Sequence, residues 1–398
     1  MKNVLLILLC TFQTLCSVAQ APKLYIHIVS HNEPTDNIEN SAFIFNRFRN
    51  NTLQMANIIN SKNVKWNLQT SDGFILGALQ YESAGTSGTD IFETISNPPY
   101  NDNIEIDPRS KNKNGRNIAD QWYLLDSCGA NPTTHLGGCI YSTTNVNIAP
   151  IDWIGYRNPI IGNIYGNTWQ CSIITGAGSY PPHTNDLNDF GVFKPDTTTN
   201  FYQHNPEKNL WCMGTGCAPL LDSLDNEQEI IDLIQGQVDS IQNGLWPADR
   251  FYVTRIMTNQ REYGPLFFSK ITNVIDSLNA IPSSKLQWAT IGETFTAFQN
   301  WQISSGKDHS QWLCGETISS SSYPEIIPAT SYPNPVLQTC IIQFNDQQKH
   351  NLNLYTICGR LLYQEVFTGD ITLDMRGYMP GVYLCNIDQN KPIKLIKL

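Results

Sequence analysis

Between Leu24 and Trp301 the chain keeps switching between two hydrophobic periods, and few folds tolerate that pattern. LYIHIVSH (24–31), VKWNLQTS (64–71), THLGGCIYS (134–142), RFYVTRIMT (250–258) and LQWATI (286–291) read as strands. Between them, 38–62, 117–129, 227–244 and 265–281 carry helical spacing. Gly129 and Gly244 stop two of these helices, and Pro265 opens another. Strand–helix alternation calls for a parallel sheet with crossover helices, because parallel neighbours cannot be joined by a tight hairpin. The number of units suits a closed or nearly closed β/α barrel; a doubly wound open sheet is the alternative. The expected fold class is α/β, with a barrel-like domain over 20–302.

The pattern changes after Trp301. A serine run at Ser319–Ser322 and the prolines Pro324 and Pro328 mark 303–331 as a linker. The segment 332–398 then offers short alternating strands and turns, which suit a small antiparallel β-sandwich. At the other end, Lys2, the apolar run Val4–Leu9 and the small residues up to Ala19 read as a secretory signal, 1–19. Export permits disulfides. Eleven cysteines become nine once Cys10 and Cys16 leave with the signal, and the close pair Cys212 and Cys217 is the expected local bridge, favoured over a zinc site. A net charge of −10 with no basic stripe argues against a nucleic-acid partner. No other segment is long and apolar enough to span a membrane.

The chemistry concentrates at strand ends, where barrel enzymes carry their sites. Alternation puts Tyr25, His27, Val29 and His31 on one face of the first strand and Leu24, Ile26 and Ile28 on the other. Asn67 and Gln69 share a face of the second strand, and Asp72 follows it. In IEIDPRSKN (104–112), Glu105 and Asp107 share a face before Pro108 stops the strand. Burying so many unpaired polar groups is costly, so together they imply a pocket. Asp107, Glu105 and Glu293 are the candidate catalytic carboxylates. His31, Asp72, His183 and His27 are the candidate metal ligands, and a divalent ion such as zinc is the candidate cofactor. His27 and His31 lie roughly 13 Å apart at a strand rise of about 3.3 Å per residue, so both cannot bind one ion directly. Asn67, Gln69, Arg109, Lys111 and Trp66 are the candidate substrate contacts. Arg109 and Lys111 suit an anionic sugar or phosphate, or else mark the loss of a metal.

Two resemblances sharpen this reading. Tyr332-Pro-Asn-Pro, Gly359-Arg360, Pro380-Gly381-Val382-Tyr383 and the basic last strand Lys394–Leu398 occur in order. The segment 332–398 resembles the C-terminal sorting domain of proteins exported by the type IX secretion system of Bacteroidetes. That implies passage across the outer membrane to the surface or medium, with the secretion machinery as partner. Residues 24–141 carry Glu105-Ile-Asp-Pro108, Asn117-Ile-Ala-Asp120 and Gly137-Gly138. They resemble secreted β/α-barrel proteins of the polysaccharide deacetylase type, where Glu-Ile-Asp-Pro is followed by His-x-His. Here Arg109 and Lys111 replace those histidines, and the Thr-Phe-Asp-Asp motif of deacetylases is missing. The resemblance implies a secreted hydrolase acting on acylated carbohydrate. A diverged glycan-binding or adhesive protein is the rival class, and a metal-free glycosidase using Glu105 with Glu293 is a third reading.

Overall fold

The computed structural model describes residues 22–31, 38–82, 90–109, 115–138, 140–141, 153–175, 178–179, 189–197, 200–216, 220–221, 227–312, 329–344, 349–356, 360–387 and 393–398. The main strands of the N-terminal unit are β1 Leu24–His31, β2 Trp66–Thr70, β3 Ile104–Pro108, β4 His135–Gly137, β5 Ile173–Thr175, β6 Val192–Phe193, β7 Trp211–Met213, β8 Leu220–Leu221, β9 Tyr252–Asn259 and β10 Leu286–Trp288. Its helices are α1 Ala42–Lys62, α2 Asp72–Tyr81, α3 Ile91–Ile95, α4 Ile118–Ser127, α5 Glu227–Gln242, α6 Pro265–Asn279 and α7 Ile291–Ser305. The unit is therefore mixed α/β, as the alternation implies.

One parallel sheet runs in the order β8-β9-β1-β2-β3. β10 pairs with Leu24–Ile26 of β1, while β2 takes over from Ile28 to His31. β9 fills the other edge of β1 along its whole length, so β10 and β2 share one edge. The chain leaving β10 into α7 thus begins at the N-terminal end of β2. A second sheet runs β6-β7-β5-β4, parallel except for β6. The two sheets are linked by a parallel bridge between Arg109 and Gly137 and by Thr133 N–H donating to Ile106 O at 2.9 Å. On the far side, Val253 N–H of β9 donates to Phe190 O at 2.7 Å.

Register explains which residues the sheet brings together. In-register partners of a parallel pair share a face. Leu24, Ile26 and Ile28 of β1, Trp66 and Leu68 of β2 and Ile104 and Ile106 of β3 all join the main core with helix residues such as Phe45, Met55, Phe267 and Ile271. The opposite face is polar. His27 lies beside Arg255, Asn67 beside Glu105, and His31, Gln69 and Asp107 form one row.

Local signals set the helix ends. Ser41 caps α1 by accepting Ile44 N–H, and Asn63 closes it in the left-handed region. Asn117 with Asp120, and Thr290 with Glu293, form capping boxes at the starts of α4 and α7. The unit runs past 302: α7 continues to Ser305, Ser310 and Val192 exchange two 2.9 Å backbone hydrogen bonds, and Trp312 joins the main core. These contacts hold the first part of the expected linker against the domain. The serine run, the signal segment 1–19 and Cys217 lie outside the described residues, so the expected Cys212–Cys217 bridge does too.

The C-terminal region is antiparallel. Its strands are β11 Ala329–Tyr332, β12 Thr339–Phe344, β13 Lys349–Thr356, β14 Leu361–Thr368, β15 Ile371–Asp374, β16 Gly381–Ile387 and β17 Ile393–Lys397. They form two sheets, β11-β12-β15 and β14-β13-β16-β17. Val336, Ile342, Leu352, Leu373, Cys385 and Leu395 belong to the core between them. Among the described residues, no helix is long and apolar enough to cross a membrane.

Candidate functional site

The polar face of the sheet converges on three side chains from two neighbouring strands. Glu105 and Asp107 come from β3, and His135 comes from the start of β4. One ligand atom from each can be chosen so that all three lie within 4.8 Å of one another. His135 Nδ1 stands 3.6 Å from Glu105 Oε2 and 3.7 Å from Asp107 Oδ1. Both distances are too long for a hydrogen bond, and Nδ1 is buried without one. Two ligands sharing a zinc ion at about 2.0–2.1 Å stand roughly 3.3 Å apart in tetrahedral geometry, close to what is seen here.

The surroundings fix both carboxylates. Asn67 Nδ2 donates to Glu105 Oε2 at 2.9 Å and to Asp107 Oδ2 at 3.0 Å. Thr290 Oγ1 donates to Glu105 Oε1 at 2.6 Å, and Gly292 N–H donates to Oε2 at 3.1 Å. Glu105 thus sits on the N-terminus of α7, where backbone N–H groups and the helix dipole favour an anion. Thr133 Oγ1 donates to Asp107 Oδ1 at 2.6 Å. Gln69 Nε2 donates to Thr175 Oγ1 at 3.0 Å and lies 3.5 Å from Asp107 Oδ2, while its Oε1 meets His31 Nε2 at 2.9 Å.

These contacts separate the proton affinities. Burial pushes the Asp107 carboxyl up, and the charge of Glu105 adds to the rise against the pull of His135, leaving it above the usual carboxylate range. Burial acts on Glu105 in the same sense. The His135 ring and the Thr290 and Asn67 donors outweigh it and hold Glu105 well below that range. Burial alone would lower His135, but the two carboxylates raise it above the ordinary imidazole value. His27 is driven down to about 3 by burial and by Arg255, so its ring is neutral.

The other expected site residues are distributed differently. Among the described residues, His31 reaches the trio through Gln69 and is not itself one of the three. Asp72 is buried at the first position of α2, where Oδ1 accepts Gln121 Nε2 at 3.1 Å; Gln121 Oε1 in turn accepts Arg109 N–H at 2.7 Å. Asp72 therefore ties α2, α4 and the end of β3 together and is not one of the trio. Glu293 Oε2 accepts Thr290 N–H in the α7 capping box, and Oε1 pairs with Lys65 at 2.9 Å. Trp66 is 0% exposed and lies on the helix-facing side, with its indole N–H on Ser30 Oγ at 2.6 Å; it packs the core and presents no ring face to a ligand. Arg109 is buried at the end of β3 against Gly138, whose φ of +71° and missing Cβ let the guanidinium approach. Lys111 and His183 lie outside the described residues.

Sequence reasoning missed His135, Thr133, Thr175, Thr290 and Gly292. A signal existed for the first two. In TTHLGG (133–138), Thr133 and His135 alternate towards Gly137, and a Cβ on Gly137 would stand 1.8 Å from Gln69 Oε1. Gly137→Ala is accordingly expected to displace the Gln69 amide and to cost about 1–3 kcal/mol of stability, read from denaturant unfolding of the purified domain. An unchanged midpoint contradicts this packing.

A second group, His204, Asp308 and His309, also has metal-like spacing, and its imidazoles stack at 4.0 Å. His204 Nδ1 accepts Lys194 N–H at 3.0 Å, so its proton sits on Nε2, the nitrogen facing Asp308 at 3.4 Å. That ring orientation offers Asp308 a donor and leaves no lone pair for an ion.

Comparison with known proteins addresses the C-terminal region first. Residues 330–398 match the family described as the secretion system C-terminal sorting domain. The sorting domain marks the protein for export to the cell surface or for secretion, and makes the type IX machinery its partner. No curated protein matches the chain. Among solved structures, dimeric latent PorU from Porphyromonas gingivalis is 18% identical over 23% of this chain, with a TM-score of 0.16. The chain spans only 11% of that protein's length. A putative polysaccharide deacetylase from Mycobacterium smegmatis is 6% identical, with a TM-score of 0.39, covering 77% of this chain and 96% of that one.

Proposed function

We propose that the N-terminal unit is a metal-dependent hydrolase of acylated carbohydrate, delivered outside the cell by its sorting domain. The observation that carries the reading is His135 Nδ1, buried and without a hydrogen bond, facing Glu105 and Asp107 at 3.6 and 3.7 Å. Such an orphan is costly unless something fills the gap. A nitrogen and two carboxylates suit zinc or a similar divalent cation. Glu105, Asp107 and His135 would hold the ion, with Asn67, Thr133 and Thr290 orienting the carboxylates as an outer shell. When bound, the ion would supply a Lewis acid for an acyl carbonyl and lower the pKa of water.

The chain's own groups divide the remaining work. Glu105 stays ionised on the α7 N-terminus. Asp107 binds a proton more readily than an ordinary carboxylate, and must release it before it can hold the ion. Glu105 and His135 are partly exposed while Asp107 is wholly buried, so a substrate would approach over the first two. The closed or nearly closed barrel reading is supported by the link from β3 to β4 at one end of the two sheets and by the bond from Val253 of β9, the strand beside the edge strand β8, to Phe190 near β6. The carbohydrate class is supported by the resemblance of residues 24–141 to deacetylase-type barrels.

The deciding experiment is acetate release from a panel of acetylated glycans, with and without chelator. Release that is lost with chelator and restored by zinc supports the reading; absence of release from every zinc-supplemented substrate counts against it. A second reading, glycan capture without turnover, is favoured by the complete burial of Asp107 (0%). Glycan binding without acetate release would select it.

A pH dependence follows from the proton affinities. Ion binding needs both carboxylates ionised and the His135 ring neutral, and Asp107 and His135 are both raised. Binding therefore releases protons, and affinity weakens as pH falls. Zinc affinity is expected to climb from pH 6 to pH 8, because the raised His135 still titrates above its ordinary value near 6.5. Calorimetric titration across that range checks this; a flat profile contradicts it.

A further inference from the structure

The side chain of Asn67 makes three contacts that together do more than fill a polar lumen. It is 0% exposed and sits on β2, in register with Glu105. Its Oδ1 accepts Ile291 N–H at 3.0 Å, one of the first N–H groups of α7. That bond fixes which way the amide faces, since a flipped Asn67 would point two donors at a donor. With the orientation fixed, Nδ2 must face the carboxylates, and it donates to one oxygen of each. Gly292 N–H then closes the circuit by donating to the Glu105 oxygen that Asn67 also holds.

We infer that Asn67 is a positioning residue: one amide aligns both carboxylates of the ion site and locks them to the first turn of α7. The inference rests on the proposed metal-dependent reading for its ion arm, and on geometry alone for its helix arm. Two adjacent buried carboxylates repel, and before any cation arrives the Asn67 amide and the α7 N-terminus supply the shared positive partners that keep them side by side. No substitute on β2 does this. Gln69, two residues on, spends its amide on Thr175 and His31 and reaches Asp107 only at 3.5 Å. Gly292 must be glycine for the same arrangement, because a Cβ there would stand 2.5 Å from Glu105 Oε1 and 3.3 Å from His135 Cε1. The ion site and the start of α7 are therefore one unit.

The test uses the full chain carrying Asn67→Leu, with Asn67→Ser as the milder variant should the first fail to fold. Two readouts are taken. Cobalt(II), added alone as a probe, reports ligand geometry by its visible spectrum and affinity by titration. Hydrogen–deuterium exchange of the peptide spanning 289–295 is measured without metal. The inference expects cobalt affinity to fall about 10–100-fold, as loss of an outer-shell partner typically gives, with an altered spectrum. It also expects faster exchange confined to the first turn of α7. A purely structural asparagine would lower thermal stability but leave the spectrum of the bound ion unchanged, and that result overturns the inference. So does unchanged exchange in 289–295. If the unsubstituted protein binds no cobalt, the metal reading falls, and the exchange arm alone then decides whether Asn67 holds α7.

Discussion

His135→Ala is expected to lower zinc affinity by more than about 100-fold and to abolish acetate release with it. Loss of an outer-shell partner alone typically costs 10–100-fold, and His135 supplies the only nitrogen of the trio. The ring makes no hydrogen bond through Nδ1, and what it gives the metal-free fold is its packing and its attraction for the two carboxylates. Folding is expected to survive, with unfolding in the absence of zinc shifted by the lost packing and by the lost attraction to Glu105 and Asp107. Zinc titration of the two proteins, beside their denaturant midpoints, checks the claim. Equal zinc affinity would remove His135 from the site.

Trp66→Ala carries the largest expected effect on stability. The side chain is among the largest fully buried ones, lies in the main core and gives its indole N–H to Ser30. Truncating such a residue costs about 3–5 kcal/mol from lost transfer energy and the cavity left behind. A ring serving as a sugar platform would behave oppositely, weakening ligand binding and sparing stability. Chemical denaturation, with glycan binding measured well below the midpoint, separates the two roles. A change under about 1 kcal/mol contradicts the core assignment.

The contrast between Trp66 and its neighbours shows what the sequence made legible. A two-residue period puts Asn67 and Gln69 on one face and Trp66 with Leu68 on the other, and the structure follows that parity. Assigning Trp66 to substrate ignored the period that correctly placed Asn67. Glu105 and Asp107 were readable for the same reason, with Pro108 marking the strand end. Glu293 carried a capping-box signature, Thr-x-x-Glu at 290–293, and the structure uses it so. His135 was harder. Its strand is three residues long and is followed by Gly138 at positive φ, so the alternation of Thr133 and His135 towards Gly137 is too short to stand out. What brings it to Glu105 and Asp107 is the bridge between Arg109 and Gly137, which sets β4 beside β3. That contact joins positions 28 residues apart, and no local pattern encodes it. The helix α2 was likewise hidden, because Asp72 at its start read as a strand-end carboxylate.

The central claim is that Glu105, Asp107 and His135 form an ion site. It is tested most directly by the metal content of the exported protein, purified without chelator and measured by elemental mass spectrometry. The account predicts close to one equivalent of zinc or another divalent ion per chain, absent from His135→Ala. A protein that carries no ion, and takes up none after dialysis against excess zinc at pH 8, would contradict it.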